Sequence, residues 1–313
     1  MKKLPKLLWI APAILALGVT AILLFNQVKE KTQSTLTLAS DKDRFKFDFQ
    51  IEKSDESQAK EFLALLNLPS HILQGVNFSL DATSSATLAF KSPIVTKLDI
   101  ENKSINFKGE LASPLTNFQT DQVHSYKIPS SSYLAVFGEN LTDIVVKKIS
   151  PNNEFTSWLT QNKKSKNGDY FLLFEKGDFA LIFENENVLD FSKLEQSLKQ
   201  EDVDGIKVQI VKVTDDKTIA IFQIGNLSFI TTSIDSAKEL LKTQKGESPS
   251  VNFPPNPQKD SVSAIVFLRS DQNDIDLSYF VENQSKLNTY LENIKELYVE
   301  ASGKNFSGHL EVK

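Results

Sequence analysis

The chain of 313 residues contains no cysteine and few histidines, tryptophans and arginines. Without cysteine it can form neither a disulfide nor a thiolate nucleophile. Its three histidines, His71, His124 and His309, have no partners at the spacing of metal ligands, so we predict no metal and no cofactor. Arg44 and Arg269 are its only arginines, so few side chains could recognise phosphate or guanine through two parallel hydrogen bonds.

Catalytic motifs are missing as well. The run Ser307-Gly308-His309 invites comparison with a serine hydrolase, but the nucleophile elbow Gly-x-Ser-x-Gly is absent. The eleven glycines are scattered singly, so no loop of the phosphate-cradling type is present. We therefore predict that the chain is not an enzyme, and we assign no catalytic, cofactor-binding or metal-ligating residue.

A few charged groups are weak candidates for binding. Two acidic groups could hold calcium through oxygen ligands, namely Asp271, Asp274 and Asp276, and Glu184, Glu186 and Asp190. Both lack the glycine and the closing glutamate of an EF-hand loop, which favours solvated loops. The basic run Lys163–Lys166 could touch anionic lipid or wall polymer, although a solvated turn is the simpler interpretation.

One long apolar run is present near the N-terminus. Nineteen uncharged residues extend from Leu7 to Phe25, after Lys2, Lys3 and Lys6. As a helix they would span about 28 Å, close to the hydrocarbon thickness of a bilayer. The pattern predicts a single membrane-spanning helix with a cytoplasmic N-terminus and an extracytoplasmic C-terminal part. A cleavable signal peptide is the alternative, disfavoured because no small-x-small site follows the run.

The remainder of the chain is acidic. Residues 1–31 carry five lysines and one glutamate, which leaves 30 basic and 39 acidic side chains and a net charge of −9. Such a surface repels phosphate backbones, so we expect no nucleic-acid partner. The predicted partners are the membrane, through the N-terminal helix, and either an envelope protein or an apolar ligand. The predicted location is a bacterial cell membrane.

The apolar periodicity predicts an α+β fold class: an N-terminal transmembrane helix followed by tandem modules of mostly antiparallel sheet with packed helices. The predicted parts are 1–31 (cytoplasmic tip, anchor and stalk), 32–120 (first α+β module), 121–245 (second α+β module), 246–260 (proline-rich linker) and 261–313 (strand–helix–hairpin unit). The predicted helices include 59–66, 140–149, 155–161, 191–199, 236–242 and 277–294. Segments 45–91 and 262–313 share one outline, and either true repeats or two instances of a common unit would explain it.

The second module resembles a family of bacterial membrane-anchored envelope proteins, domain of unknown function 3352. The similar motifs are Ile128–Val136 (IPSSSYLAV) and Asn226–Lys238 (NLSFITTSIDSAK), within a resemblance that covers about residues 126–245. Ile128 departs from the leucine that precedes this proline in the family. The resemblance implies an anchored envelope protein and brings no known activity.

Three functional hypotheses follow. The first is a non-enzymatic interaction or scaffold module. The second is a carrier or sensor of an apolar ligand such as a lipid, suggested by the phenylalanines of 171–174 and 179–183, although the favoured interpretation is that these fill an ordinary core. The third is a wall-polymer hydrolase, which would require His309 beside a serine and an acid.

Overall fold

We describe the fold from a computed structural model. The described residues are 35–41, 44–50, 78–83, 94–101, 103–111, 114, 118–120, 123–139, 141–142, 153–163, 168–174, 178–185, 188–192, 198–212, 218–254, 261–269 and 293–313. In the first three strands the backbone alone is described.

These residues form seventeen strands and two helices. The strands are β1 (Thr35–Asp41), β2 (Arg44–Gln50), β3 (Phe78–Thr83), β4 (Ile94–Glu101), β5 (Ser104–Glu110), β6 (Tyr126–Pro129), β7 (Leu134–Gly138), β8 (Asp169–Phe174), β9 (Asp178–Glu184), β10 (Leu198–Val203), β11 (Ile206–Lys212), β12 (Thr218–Ile224), β13 (Leu227–Thr231), β14 (Ser250–Phe253), β15 (Ala264–Arg269), β16 (Ile294–Ser302) and β17 (Asn305–Val312). The helices are α1 (Asn153–Asn162) and α2 (Ile234–Lys245).

The contacts between described residues divide the chain into two compact units. The first takes in Thr120–Phe267, and the second joins the residues up to Gln119 with Leu268–Lys313. The strand order of the first unit is β10-β11-β12-β13-β9-β8-β7-β15, with β14 and β6 as a separate antiparallel pair. The strand order of the second unit is β16-β17-β5-β4-β1-β2-β3.

The core of the first unit is built on strands β7, β8 and β9. All five residues of β7 and the five interior residues of β9 are buried, as continuous apolar runs predict for strands covered on both faces. Aromatic rings fill this region: the rings of Phe171 and Phe179 lie 6.0 Å apart, and those of Phe222 and Phe229 are parallel at 4.6 Å. Two of these residues, Phe171 and Phe179, come together with Phe183 from the segments that suggested a ligand cavity, and each of the three is at most 1% exposed.

Helix α2 packs against this sheet and against β6. Ser233 caps its N-terminus by accepting a hydrogen bond from the backbone N–H of Ser236, and Gly246 ends it with φ = 77°, a left-handed conformation that suits glycine. Its buried face carries Ala237, Leu240 and Leu241. The predicted helix at 236–242 is therefore confirmed and is longer at both ends.

Strand β5 of the second unit has one buried apolar face. In β5 the buried residues Ile105 and Phe107 alternate with more exposed ones, as the sequence pattern predicts. Gly308 of β17 lies beneath the ring of Phe107: an added Cβ at Gly308 would fall 2.2 Å from Phe107 Cζ and 2.5 Å from the carbonyl oxygen of Tyr298. Glycine is required here by a close approach of side chain and backbone.

The predicted α+β fold class is wrong, because the fold is dominated by antiparallel sheet. Strands account for 59% of the interpretable region and two helices for 16%. No described helix is both long and apolar enough to span a membrane. The predicted anchor, Leu7–Phe25, lies outside the described residues.

The helix predicted at Phe191–Lys199 is wrong at its C-terminal end, where β10 begins at Leu198. The Asp204-Gly205 pair explains the difference, because its two positive φ angles, 52° and 82°, make the tight turn that joins β10 to β11.

Ser250–Phe253, inside the predicted linker, forms β14 and pairs with β6. The helix predicted at 59–66 lies outside the described residues, as does the helix predicted at 277–294 up to residue 292. The latter prediction is wrong at Ile294, which begins β16.

We expect the substitution Gly308→Ala to lower the free energy of unfolding by about 1–3 kcal/mol, because the new methyl group has no space between Phe107 and the Tyr298 carbonyl. A urea titration followed by circular dichroism measures the change. Ser307→Ala, at the adjacent position of the strand, is the matched control and should change it by less than about 0.5 kcal/mol. Equal effects of the two substitutions would contradict the close approach.

Candidate functional site

The first unit contains a polar cluster that three strands bring together. We call it the tyrosine–glutamate cluster: Tyr126 of β6, Tyr170 of β8, Glu184 of β9, and His124 just before β6. The hydroxyl of Tyr126 donates to Glu184 Oε1 at 3.0 Å, and His124 Nε2 lies 3.3 Å from the same oxygen. The rings of Tyr126 and Tyr170 meet edge to face, with centroids 4.8 Å apart.

Tyr170 is hydrogen-bonded to both backbone groups of His124. Its hydroxyl accepts from the His124 N–H at 3.1 Å and donates to the His124 carbonyl at 3.0 Å. The ring of Tyr170 is itself buried against Phe137 and Phe253, at 4.8 and 6.2 Å. A phenol anchored in the core thus fixes a segment that belongs to no strand.

Burial keeps the phenols of this cluster protonated. It raises the pKa of Tyr126 far above the ordinary value, and the neighbouring charges of Tyr170 and Glu184 act in the same direction. Burial likewise raises the pKa of Tyr170, although the backbone bond to His124 opposes part of the shift. A phenol that stays protonated is a poor nucleophile and keeps the proton that it donates in a hydrogen bond, so the geometry suits fastening rather than catalysis.

A second polar group stands at the N-terminus of α2. Asp178 of β9 accepts from the hydroxyls of Thr232 and Ser236 at 2.9 and 2.7 Å. Its carboxylate occupies the place where a helix N-terminus would otherwise attract an anion. This group therefore joins α2 to β9 and has a structural role.

The structure differs at Lys163 from the solvated turn that was predicted for the basic run Lys163–Lys166. Lys163 is buried: its Nζ donates to Asp169 Oδ2 at 2.5 Å, and the two side chains are 9% and 1% exposed. The same oxygen accepts from the backbone N–H of Thr142 at 2.9 Å. The prediction of a solvated turn is therefore wrong at Lys163, and residues 164–167 lie outside the described part of the chain. Removing one partner of such a pair would leave the other charge buried.

His309 is bonded within the second unit. His309 Nδ1 lies 2.9 Å from Asn106 Oδ1 in the second unit, and His71 lies outside the described residues. Burial raises the pKa of Glu296, which the nearby His309 opposes. In the described part of the chain, His309 makes no hydrogen bond to a serine hydroxyl, the arrangement that the hydrolase hypothesis requires.

The acidic residues that were considered as calcium ligands are not grouped around a metal site in the described part of the chain. Glu184 is 17% exposed and bonded within the tyrosine–glutamate cluster, so the solvated-loop interpretation is wrong for it. The Asp190 carboxylate accepts from the backbone N–H of Ser192 at 3.0 Å. Glu186 and the loop of Asp271, Asp274 and Asp276 lie outside the described residues. Across the described ranges, no three His, Cys, Asp or Glu side chains are grouped so that they could hold a metal ion.

Among the described strands of the first unit, β10 lies at the free edge of the sheet. It stands at the end of the strand order and pairs with β11, from Leu198↔Val211 to Val203↔Ile206. Its four central side chains, 199–202, are charged or polar: Lys199 Nζ lies 2.9 Å from Glu201 Oε1, and Gln200 accepts from the side chain of Gln209 at 3.0 Å. Charges on an edge strand oppose indiscriminate pairing with other strands.

Comparison with known proteins adds little. No family model matches the chain, and no curated protein sequence matches it. Among solved structures, crystal form IV of TP0453 is similar over 56% of this chain and 76% of that chain, with 11% sequence identity and a TM-score of 0.33. A TM-score at this level does not define a shared fold.

The raised tyrosine pKa values predict a loss of stability in alkali. Because the folded chain holds these protons more tightly than the unfolded chain, the free energy of unfolding should be level below pH 10 and fall as the pH rises above it. Tyr126→Phe should make that decline shallower by less than about 1 kcal/mol per pH unit, since the cluster is in part open to solvent. Urea titrations at several pH values between 8 and 11 measure it.

Phe253→Leu is the control for this measurement. It alters packing beside Tyr170 without removing a titrating group, so it should lower stability by the same amount at each pH. An unchanged slope in Tyr126→Phe would show that the Tyr126 proton is not held by the fold.

Proposed function

We propose that this protein is a non-enzymatic interaction module of a bacterial envelope and that it binds a partner through the free edge of β10. The membrane location stays a prediction, supported by the apolar run Leu7–Phe25 and by the resemblance of residues 126–245 to anchored envelope proteins. The observation that carries the proposal is an edge strand whose outward backbone groups pair with no other strand among the described residues.

The register indicates which backbone groups face the free edge. In a hairpin with a two-residue turn, the pair that closes the turn, here Val203 and Ile206, exchanges hydrogen bonds, and bonded pairs then alternate with non-bonded pairs. Gln200 pairs with Gln209 at a non-bonded position, so its N–H is directed away from β11. An extended partner segment could add to the sheet there.

The charges of β10 would then select the partner. Main-chain hydrogen bonds provide affinity to any extended segment, whereas side chains at alternate positions discriminate between segments. The exposed Lys199 favours an acidic residue opposite it, and Glu201 and Asp202 favour basic ones. We infer that the partner contributes an extended strand of complementary charge.

The carrier hypothesis has less support. The described phenylalanines that suggested a cavity, Phe171, Phe179 and Phe183, are buried in contact with other core groups. Among the described residues, Val188 is the large apolar side chain that stands exposed, at 86%, and one such residue is ordinary for a surface.

Photo-crosslinking from position 202 in the full-length chain tests the proposal in cells. Gln200→Pro removes the outward N–H, so we expect the crosslinked partner to fall about fivefold or more. Gln200→Thr keeps the N–H and loses the same side-chain bond to Gln209, so it should crosslink as the parent chain does. Equal crosslinking by the two variants, or none by the parent chain, would overturn the proposal.

A further inference from the structure

The outward backbone groups of β10 also indicate which extended segment fits this edge. Leu198 and Asp202 lie two residues before and two after Gln200, so they share its orientation and direct their backbone N–H and C=O groups away from β11. An antiparallel partner strand must place its own outward residues opposite these three. A second copy of β10 meets this requirement, because its outward residues recur at the same spacing.

The charges of β10 are complementary to themselves when two copies run antiparallel about Gln200. In that register Gln200 lies opposite Gln200 of the second copy, and Lys199 lies opposite Glu201 of the second copy. Two-fold symmetry repeats this contact, since Glu201 then faces Lys199 of the second copy. These two positions form non-bonded pairs in the new ladder, where side chains approach most closely and opposite charges stabilise the pairing.

The same charges oppose the neighbouring registers. Outward groups also meet when the pairing is centred one residue earlier or one residue later. In the first case Lys199 would face Lys199 of the second copy, and in the second case Glu201 would face Glu201. Like charges directly opposite one another destabilise a strand pair. The sequence of β10 therefore favours one of these three antiparallel registers over the other two.

Both charged side chains are accessible to a second copy. Lys199 and Glu201 are 74% and 32% exposed, and they form an ion pair of 2.9 Å with each other. The hydrogen bond from Lys199 lowers the pKa of Glu201, and Lys238 of α2 adds a weaker effect in the same direction, so this carboxylate is charged at neutral pH. An exposed ion pair within one strand contributes little stability, so its members can turn to a second copy.

We propose that the β10 edge binds β10 of a second copy of this chain, antiparallel and centred on Gln200. The inference rests on the proposed function, because it names the partner of the same edge. Asp202 needs no cation opposite it, since its carboxylate accepts from the backbone N–H of Gly205 at 2.9 Å. The strand pair is short, so we expect a weak and reversible association.

Two complementary charge reversals test the register. Full-length chains with two different tags are co-expressed with a photo-crosslinker at position 202, and the product that carries both tags is measured. Lys199→Glu or Glu201→Lys alone would place like charges at both contacts, so each should lower this product about fivefold or more.

The mixture of the two charge variants is the matched control. Lys199→Glu in one copy and Glu201→Lys in the other join opposite charges again at both contacts, so the product should return to about the parent level. The ion pair within each strand stays broken in this mixture, so the recovery can come only from contacts between the copies.

Single cysteines provide a second measurement, because the parent chain has none. Lys199→Cys in one copy and Glu201→Cys in the other would bring the two Cα atoms to about 4.5 Å, within the range of a disulfide. Two copies of the same variant would place the cysteines diagonally, about 7–8 Å apart and beyond that range. We expect the mixed pair to give about fivefold or more disulfide-linked product after mild oxidation than either variant alone.

The outcomes separate this inference from the proposed function. Crosslinking of the parent chain to a different protein alone would overturn the second copy as the partner, while the β10 edge would stand as the binding site. No crosslinked product from the parent chain would overturn both. A failure of the mixed charge variants to recover, or equal disulfide formation in all cysteine combinations, would overturn the pairing about Gln200.

Discussion

The double-sided burial of β7, β8 and β9 is the constraint on which the first unit depends. A strand covered on one face can alternate apolar and polar residues, whereas these strands are apolar almost throughout and must be covered on both faces. The requirement places α2 against the sheet and the rings of Phe171, Phe179 and Phe183 in the interior. Because the protein's own aromatic side chains fill this interior, they leave no space there for a ligand. A binding site is therefore expected at the surface or at a sheet edge.

Several of the polar side chains that enter this interior pair with one another. Asp178 bonds two hydroxyls at the N-terminus of α2, Lys163 pairs with Asp169, and Tyr126 donates to Glu184. Each arrangement compensates the cost of burying a polar or charged group.

Local patterns were sufficient to predict most strands but not the sites. The alternating or continuous apolar segments at 95–100, 105–111, 170–174, 179–183, 218–224 and 227–231 predict strands that agree within one residue with β4, β5, β8, β9, β12 and β13, because the period of a strand is visible in a few positions. The Asp204-Gly205 turn signal was present and would have corrected the helix predicted up to Lys199. The tyrosine–glutamate cluster could not be predicted, since its members are up to 60 residues apart in sequence and meet only through the strand order. The sequence suggested a solvated Lys163 because it does not show the pairing with Asp169, which the fold brings about.

Native mass spectrometry of the chain without residues 1–32 tests the central claim most directly, namely that the interior is filled by the protein itself. The account predicts the mass of the bare polypeptide, with nothing released on denaturation. An additional mass that is released as lipid would contradict it, because a bound apolar molecule requires a cavity that the packed phenylalanines of β8 and β9 would have to vacate.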